Sequence, residues 1–185
     1  MKIGIIKEGK VPPDFRVALT PQQCRSIIDN FSNVEVFIQK SPIRTYSDAQ
    51  YEAEGLPLVD TLEHCDVIIG VKEVNLDDLI PNKTFMFFSH TFKKQSYNRV
   101  LLQEILNKNV RLIDYEVIKD ERNVRLIGFG RYAGIVGCYN GFRTYGLKHK
   151  LYNLKPANEC QDRKEVEAEL KKVKLPNDFK MVLTG

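Results

Sequence analysis

The 185-residue sequence lacks the features that would place it in a membrane or outside the cell. No apolar run approaches the roughly 20 residues that a membrane-spanning helix needs. The N-terminal segment, Met1–Glu8, is too short and too quickly charged for a signal peptide, and it is typical of a first β-strand. We therefore expect a cytoplasmic protein with no membrane partner.

Cysteine is scarce, and its spacing excludes two common site types. The cysteines are far apart and form no C-x-x-C pair, which fits neither a zinc site nor a small disulfide scaffold: Cys24, Cys65, Cys138 and Cys160. Phosphate-loop and metal-site patterns are missing as well, so no metal is predicted. In the expected compartment the thiols should be reduced, and most of them buried.

A strong excess of charge of one sign is also missing. The chain has 28 basic and 24 acidic side chains and a net charge of +4, which is too balanced to indicate a nucleic-acid partner. Hydrophobic residues make up 43% of the chain, with 10 Phe and 8 Tyr, which excludes a mainly disordered protein. This composition suffices for one domain with a core, alone or with a small appendage.

Short apolar runs alternate with helical patterns along most of the chain. The runs with strand character lie at residues 2–6, 34–38, 67–71, 84–88, 110–113 and 125–127. Helical patterns follow Thr20, which with Gln23 predicts a capping box, and cover residues 47–55 and 95–108. This alternation predicts an α/β protein with a Rossmann-like (flavodoxin-like), mostly parallel sheet and helices on both faces.

The last third of the chain has a different pattern. Residues 132–150 are helical yet contain several glycines, which favours close packing against another backbone: Gly134, Gly137, Gly141 and Gly146. A connector and a charged helix over residues 163–174 follow. Residues 179–183 have strand character and run into Gly185, which is how a dinucleotide-binding turn begins. We expect the chain to stop just inside a second domain.

Two titratable residues follow apolar strands directly. Lys72 comes after the run 67–71, and His90 comes after the run 84–88. Ligands of open α/β sheets bind beyond the carboxyl ends of the strands. Both side chains are therefore candidates for binding or proton transfer. The alternatives are a surface pair between Lys72 and Glu73, and a capping or hydrogen-bonded core role for His90.

Further charged residues lie in the loops near these strands: Arg16, Lys93, Glu116, Arg125 and Arg131. Guanidinium groups suit carboxylates, so the arginines are candidate carboxylate clamps; the alternative is surface pairing, for Arg16 with Asp14. Glu116 could pair with Lys72 or Lys93, or be a plain surface acid. Together these residues predict a basic cleft for a small anionic substrate, with one Lys and one His for proton transfer.

Ordered motifs resemble a known superfamily. KIGI (2–5), RVALTP (16–21) and GVKE (70–73) resemble the N-terminus of the alanine dehydrogenase, saccharopine dehydrogenase and transhydrogenase superfamily. FSHT (88–91) with Lys93, LIDYE (112–116) and FGRYAGIVG (129–137) resemble the lysine-forming saccharopine dehydrogenases more closely. One departure is Ser89, where those enzymes often have Gly.

The resemblance implies an NAD-dependent oxidative deamination. The expected reaction is saccharopine to lysine and 2-oxoglutarate, with alanine to pyruvate and ammonia as one alternative and a non-catalytic ligand-binding domain as another. By motif, Lys72 would be the base and His90 the acid–base group. Arg16 and Arg125 would hold substrate carboxylates, while Lys93 and Glu116 would set the charge around them. Arg131 is a further substrate-binding candidate.

The resemblance also implies a domain plan. Residues 1–131 would be the substrate-side catalytic domain and 132–150 an interdomain glycine-rich helix. Residues 151–185 would be a connector, a helix and the first strand of a truncated NAD-binding domain, in which Gly185 contacts the cofactor. NAD would be bound mainly by a portion beyond this chain, so we expect the chain alone to lack the redox activity. The partners implied are an amino acid or 2-oxo acid substrate and, for the full-length protein, further subunits.

Overall fold

The computed structural model describes residues 1–184 and divides the chain into two compact units, Met1–Gly128 and Phe129–Gly185. The division falls after Gly128, close to the boundary predicted after residue 131. The predicted cofactor contact, Gly185, lies outside the described residues.

The first unit is built on a six-stranded sheet in which every strand pair is parallel. Its strands are β1 (Lys2–Ile5), β2 (Glu35–Gln39), β3 (Leu58–Val59), β4 (Val67–Ile69), β5 (Thr84–Phe87) and β6 (Arg111–Asp114). The order β3-β2-β1-β4-β5-β6 is the Rossmann order rather than the flavodoxin-like one. The predicted Rossmann-like fold with a parallel sheet is confirmed.

Helices of the first unit connect successive strands. They are α1 (Pro21–Asn30), α2 (Asp48–Ala53) and α3 (Arg99–Asn107). The Thr20 hydroxyl accepts from the Gln23 amide and the Gln23 side chain accepts from the Thr20 amide, which confirms the predicted capping box. Gly55, at φ 71°, allows the chain to turn after α2. Single 3₁₀ turns cover Leu76–Asp78, Thr91–Lys93, Ser96–Asn98 and Tyr115–Val117.

Alternating strand residues enter two cores, one on each face of the sheet. One core contains Ile3, Ile5, Val36 and Ile38 with Cys24 of α1 and Tyr51 of α2. The other contains Ile68, Phe85 and Phe87 with Leu101 and Ile105 of α3. Because parallel strands covered on both faces need apolar residues at every position, the continuous apolar runs of the sequence become the central strands.

The cysteines carry free thiols, as predicted. Cys24 and Cys65 are fully buried, and burial raises the pKa of the Cys24 thiol to about 12 and that of Cys65 to about 11. Cys138 and Cys160 are only partly buried, so the expectation that most thiols are buried holds for half of them.

The second unit consists of α4 (Gly130–His149), a 3₁₀ turn at Ala157–Glu159 and α5 (Arg163–Leu170) around a small core of Tyr139, Leu154 and Val166. Close backbone packing is found at Gly146, where a Cβ would lie 2.7 Å from the carbonyl oxygen of Tyr152. It is absent among the described residues at Gly134 and Gly137, which have nothing within 4 Å of a built Cβ. The packing prediction is therefore wrong for those two glycines.

Two predicted strands are not formed. Residues 125–127 contribute a single antiparallel bridge, between Lys119 and Arg125. Residues 179–184 form no strand, and the second unit has none elsewhere in its described part to pair with. An apolar run becomes a strand only where a neighbour supplies its hydrogen bonds. None of the helices in the described part of the chain combines the length and the apolar character that a membrane span requires.

The core around β5 should be sensitive to truncation. Phe85 is fully buried at the middle of the sheet, so Phe85→Ala should lower the free energy of unfolding by about 3–5 kcal/mol through lost burial and the cavity left behind. Leu106→Ala, on the exposed side of α3, should change it by less than about 0.5 kcal/mol. Urea denaturation followed by circular dichroism measures both; equal effects would contradict this description of the core.

Candidate active site

The strand order reverses between β1 and β4, which is where doubly wound sheets bind ligands beyond the carboxyl ends of their strands. The structure places the loops with Lys72, His90 and Glu116 at the carboxyl ends of the parallel strands, because these loops follow β4, β5 and β6. The loop after β1 lies at the same ends of the strands and carries Glu8. Three acidic side chains organise the site: Glu8, Glu73 and Glu116.

Glu8 connects the loop after β1 to the loop after β4. Its Oε1 accepts from the amide of Val71 at 2.7 Å, and its Oε2 accepts from the amide of Lys72 at 2.9 Å. Burial raises the pKa of the Glu8 carboxyl, although these two hydrogen bonds act in the opposite direction. The backbone from which the Lys72 side chain extends is therefore held directly by Glu8.

Glu73 contacts two nitrogen-bearing side chains with its two carboxylate oxygens. Oε1 lies 2.6 Å from Nδ1 of His90, and Oε2 accepts from Nζ of Lys10 at 2.7 Å. Burial raises the pKa of the Glu73 carboxyl, but the hydrogen bonds from Lys10 and His90 outweigh burial and bring this pKa below its usual value. Because the ionised carboxylate only accepts, Nδ1 of His90 carries the proton and Nε2 is the nitrogen left for a ligand.

Glu116 forms the third acidic centre. It is only 7% exposed, and its Oε1 lies 2.8 Å from Nζ of Lys93 and 3.5 Å from Nη1 of Arg125. Of the two pairings predicted for Glu116, the structure forms the one with Lys93. Its Oε2 is buried and has no hydrogen-bond partner among residues 1–184.

Arg16 pairs with Asp14, which is the alternative that the sequence offers to a carboxylate-binding role. Nε donates to Oδ1 at 2.8 Å and Nη2 donates to Oδ2 at 2.5 Å. The hydrogen bond from Arg16 lowers the pKa of the Asp14 carboxyl, burial opposes it, and the charge of Lys72 contributes to the lowering. Lys72 therefore acts electrostatically on the Asp14–Arg16 pair. The role of Arg16 in holding a substrate carboxylate stays a prediction.

An apolar cluster of Val71, Phe88 and Tyr115 underlies these charges. The Phe88 ring stacks on His90 at 6.5 Å between centroids and contacts Tyr115 edge-on at 5.1 Å. The Arg125 guanidinium lies 5.9 Å from the centre of the same ring. Burial raises the pKa of Tyr115, so its hydroxyl stays protonated at neutral pH. Phe88 thus contacts both the imidazole and the guanidinium.

A cavity of about 740 Å³ lies beside Glu73. Its lining includes Lys10 and Glu73 of the site and also Tyr97 and Asn98, which precede α3, but it does not include Lys72, His90 or Glu116. This volume is within the range of small-molecule sites. Among residues 1–184, no group of three or more His, Cys, Asp or Glu side chains is placed to hold a metal ion.

Four residues of the cluster were not predicted as site residues: Glu8, Lys10, Asp14 and Glu73. The strand-end rule that identified Lys72 would have indicated Glu8 and Lys10 after β1, and Glu73 is adjacent to Lys72. The sequence suggests Asp14 and Glu73 only as surface partners of Arg16 and Lys72. Arg131 lies in α4 of the second unit and is exposed there, so its substrate role also stays a prediction.

The sequence profile of one protein family, described as the alanine dehydrogenase/PNT N-terminal domain, matches residues 4–136. The chain belongs to this family. The match contains all the acidic and basic residues of the cluster described above, from Glu8 to Arg125.

Relatives of this chain carry more specific names than the family does. Alpha-aminoadipic semialdehyde synthase of Arabidopsis thaliana is 37% identical over 150 residues, covering 79% of this chain and 14% of the relative. The mitochondrial protein of the same name from Bos taurus is 38% identical over 133 residues, with coverage of 72% and 14%. Saccharopine dehydrogenase [NAD(+), L-lysine-forming] of Yarrowia lipolytica is 30% identical over 153 residues, with coverage of 80% and 41%. The chain therefore spans less than half the length of each.

Two solved structures share the fold. An L-alanine dehydrogenase superposes with a TM-score of 0.60 at 20% identity, covering 80% of this chain and 40% of that one. The transhydrogenase from Sinorhizobium meliloti superposes with a TM-score of 0.57 at 13% identity, with coverage of 82% and 45%. At these identities the likeness supports the Rossmann-like fold alone.

The Asp14–Arg16 pair should make stability depend on pH. Because the folded-state pKa of Asp14 is lowered, its contribution is fully present above the unfolded-state pKa of about 3.9 and is lost as pH falls through the folded-state value. The stability difference between wild type and Asp14→Asn should be constant above about pH 5 and shrink toward pH 3. Urea unfolding at a series of pH values measures it. Gln103→Ala, which changes no titrating group, should give a difference without this trend; a flat difference for Asp14→Asn would contradict the pairing.

Proposed function

We propose that this chain is the substrate-side part of an NAD-dependent amino-acid dehydrogenase that converts saccharopine to lysine and 2-oxoglutarate. The observation that carries the proposal is the cluster at the reversal of the strand order, where Lys72 and the Glu73–His90 pair lie among paired cations. The saccharopine dehydrogenase of Yarrowia lipolytica supports the substrate, because its name states both NAD and lysine formation.

Lys72 and His90 supply the proton transfers. An amine is oxidised at its C–N bond only when the nitrogen lone pair is free, so the substrate amine must first lose a proton, and we assign the Lys72 amine as its acceptor. Water must then add to the resulting imine, and the carbinolamine must break down to an amine and a ketone. Nε2 of His90 suits both steps, because Glu73 fixes the tautomer through Nδ1.

The cations around these residues fit a substrate with several carboxylates. Arg125 and Lys93 are both held by Glu116, and each side chain remains more than 40% exposed. Asp14 orients Arg16, and the charge of Lys72 also acts on the Asp14 carboxyl. We propose that these three cations bind the carboxylates, while Glu116 limits the local positive charge. The substrate role of Arg131 stays a separate prediction.

The first unit does not fit the dinucleotide. A glycine-rich turn would let a pyrophosphate approach the backbone after β1, but this chain has Lys7-Glu8-Gly9 there. The Glu8 carboxylate already takes the amides of Val71 and Lys72, and its charge opposes a phosphate. We therefore assign NAD, whose nicotinamide accepts a hydride when bound, to a part of the full-length protein outside this unit.

Other features of the whole protein stay proposals. We retain the assignment of residues 151–185 to an NAD-binding domain, the inactivity of the isolated chain, cytoplasmic localisation and assembly into an oligomer as predictions. Alanine dehydrogenase is the less supported reaction, because its structural likeness has 20% identity, whereas the curated relatives named above reach 30–38%.

Turnover by the full-length protein distinguishes these reactions. We expect NADH oxidation with lysine plus 2-oxoglutarate, and none with pyruvate plus ammonia. The reverse result would select alanine dehydrogenase. Specific binding of saccharopine without turnover in either assay would favour a non-catalytic ligand-binding domain.

Replacing the proposed base tests the chemistry directly. Lys72→Met in the full-length protein should lower kcat by about 10²–10⁴-fold, because the substrate amine loses its proton acceptor. Steady-state kinetics and single-turnover measurement of NADH formation from saccharopine report the effect. Lys83→Met is the matched control. Lys83 precedes β5 and so lies at the amino ends of the strands, away from the site, and its replacement should leave kcat unchanged. Undiminished turnover by Lys72→Met would remove Lys72 from this role.

A further inference from the structure

Asp114 and Ser89 form a buried link between the two loops that carry His90 and Glu116. Ser89 is fully buried and Asp114 is only 6% exposed. The Ser89 hydroxyl donates to Oδ2 of Asp114 at 2.5 Å, and Oδ1 of Asp114 accepts from the backbone amide of Glu116 at 2.9 Å. One carboxylate therefore connects the loop after β5 to the loop after β6.

Ser89 also forms hydrogen bonds with Thr91, the residue that follows His90. Since its single proton goes to Asp114, the Ser89 oxygen accepts from the hydroxyl of Thr91 at 2.7 Å and from the amide of Thr91 at 3.1 Å. His90, between these two residues, has φ 55° and ψ 9°, a left-handed conformation that non-glycine residues rarely adopt. The hydrogen bonds of Ser89 and Thr91 thus stabilise an unfavourable backbone conformation at His90, which lies between them.

Each end of the link leads to a group of the proposed site. His90 contacts Glu73, whereas Glu116 holds Lys93 and Arg125. Asp114 itself is buried, and among residues 1–184 its hydrogen bonds involve no side chain of a proposed proton-transfer or carboxylate-binding residue.

We propose that Asp114 is a positioning residue, which through Ser89 and the Glu116 amide fixes the distance between the His90 imidazole and the Glu116–Arg125 pair. This inference rests on the proposed function. Its chemical basis is that a carboxylate has two acceptor oxygens. One oxygen of Asp114 accepts from Ser89 and the other from the Glu116 amide, so neither loop can shift without breaking a buried hydrogen bond.

The hydrogen-bond pattern makes Asn the informative conservative replacement. In Asp114→Asn the amide oxygen can still accept from Glu116, and the amide nitrogen can donate to Ser89, whose hydroxyl proton then turns to Thr91. The link would survive without the negative charge. Asp114→Ala removes both connections, and Ser89→Ala removes only the connection to the His90 loop.

The experiment measures kcat and KM of the full-length protein with saccharopine and NAD. Asp114→Ala should lower kcat by about tenfold to a hundredfold, as expected for misplaced catalytic groups, with KM for saccharopine changed by less than about threefold. Asp114→Asn should recover kcat to within about threefold of wild type. Ser89→Ala should show the same kcat-selective loss, and in a His90→Asn background it should cause no further loss, because it acts through His90.

A matched control and a second readout separate positioning from general destabilisation. Ile38→Ala removes a fully buried side chain on β2, away from β5 and β6, and should lower stability without changing kcat of the folded protein. Amide hydrogen exchange of Glu116 should accelerate in Asp114→Ala and stay slow in Asp114→Asn.

Three results would overturn the inference. Unchanged kcat in Asp114→Ala, alongside active wild type, would overturn the positioning role alone. An Asp114→Asn variant as slow as Asp114→Ala, with a protected Glu116 amide, would show that charge rather than the link is needed. A wild-type protein that turns over neither saccharopine nor lysine plus 2-oxoglutarate would overturn the proposed function, and with it the positioning of a reaction.

Discussion

The bidentate contact between Glu8 and the amides of Val71 and Lys72 is the interaction on which the rest of the site depends. It joins the loops after β1 and β4 at the point where the strand order reverses. With this backbone fixed, Glu73 can reach both Lys10 and His90. In a dinucleotide-binding version of the fold the turn after β1 holds the phosphate; here that turn carries Glu8, whose carboxylate binds the loop after β4 instead, which leaves the carboxyl ends of the strands to the amino-acid substrate that we propose.

Cations and acids alternate across the candidate site. Asp14 pairs with Arg16, and Glu116 lies against Lys93 and Arg125. A partly buried charge without a partner is costly, so each acid stabilises its cations and also fixes where they lie. The pairing moderates the net positive charge, while the partly exposed lysine and guanidinium groups can still meet an anion. A site of this kind selects the ligand by geometry as well as by charge.

The sequence predicted the parts of the molecule that depend on local pattern. The apolar runs at 67–71 and 84–88 became β4 and β5, and the rule for strand ends located Lys72 and His90. The contacts of Glu73 could not be read in this way, because it pairs with Lys10, 63 residues distant in the chain. The strand predicted at 179–183 is wrong for a related reason. Its residues have local strand character, but a strand needs a neighbouring strand, and no described residue of the second unit belongs to one.

The left-handed backbone of His90 has a consequence for how substitutions at this position should be interpreted. A replacement side chain must tolerate positive φ before its chemistry matters, at a cost of about 1–2 kcal/mol for most residues. Asn and Gly accept this geometry readily, whereas β-branched residues do not. A library scanned at position 90 would therefore rank amino acids by conformational tolerance first, and comparing the Asn and Gly variants with wild type would isolate the contribution of the imidazole ring.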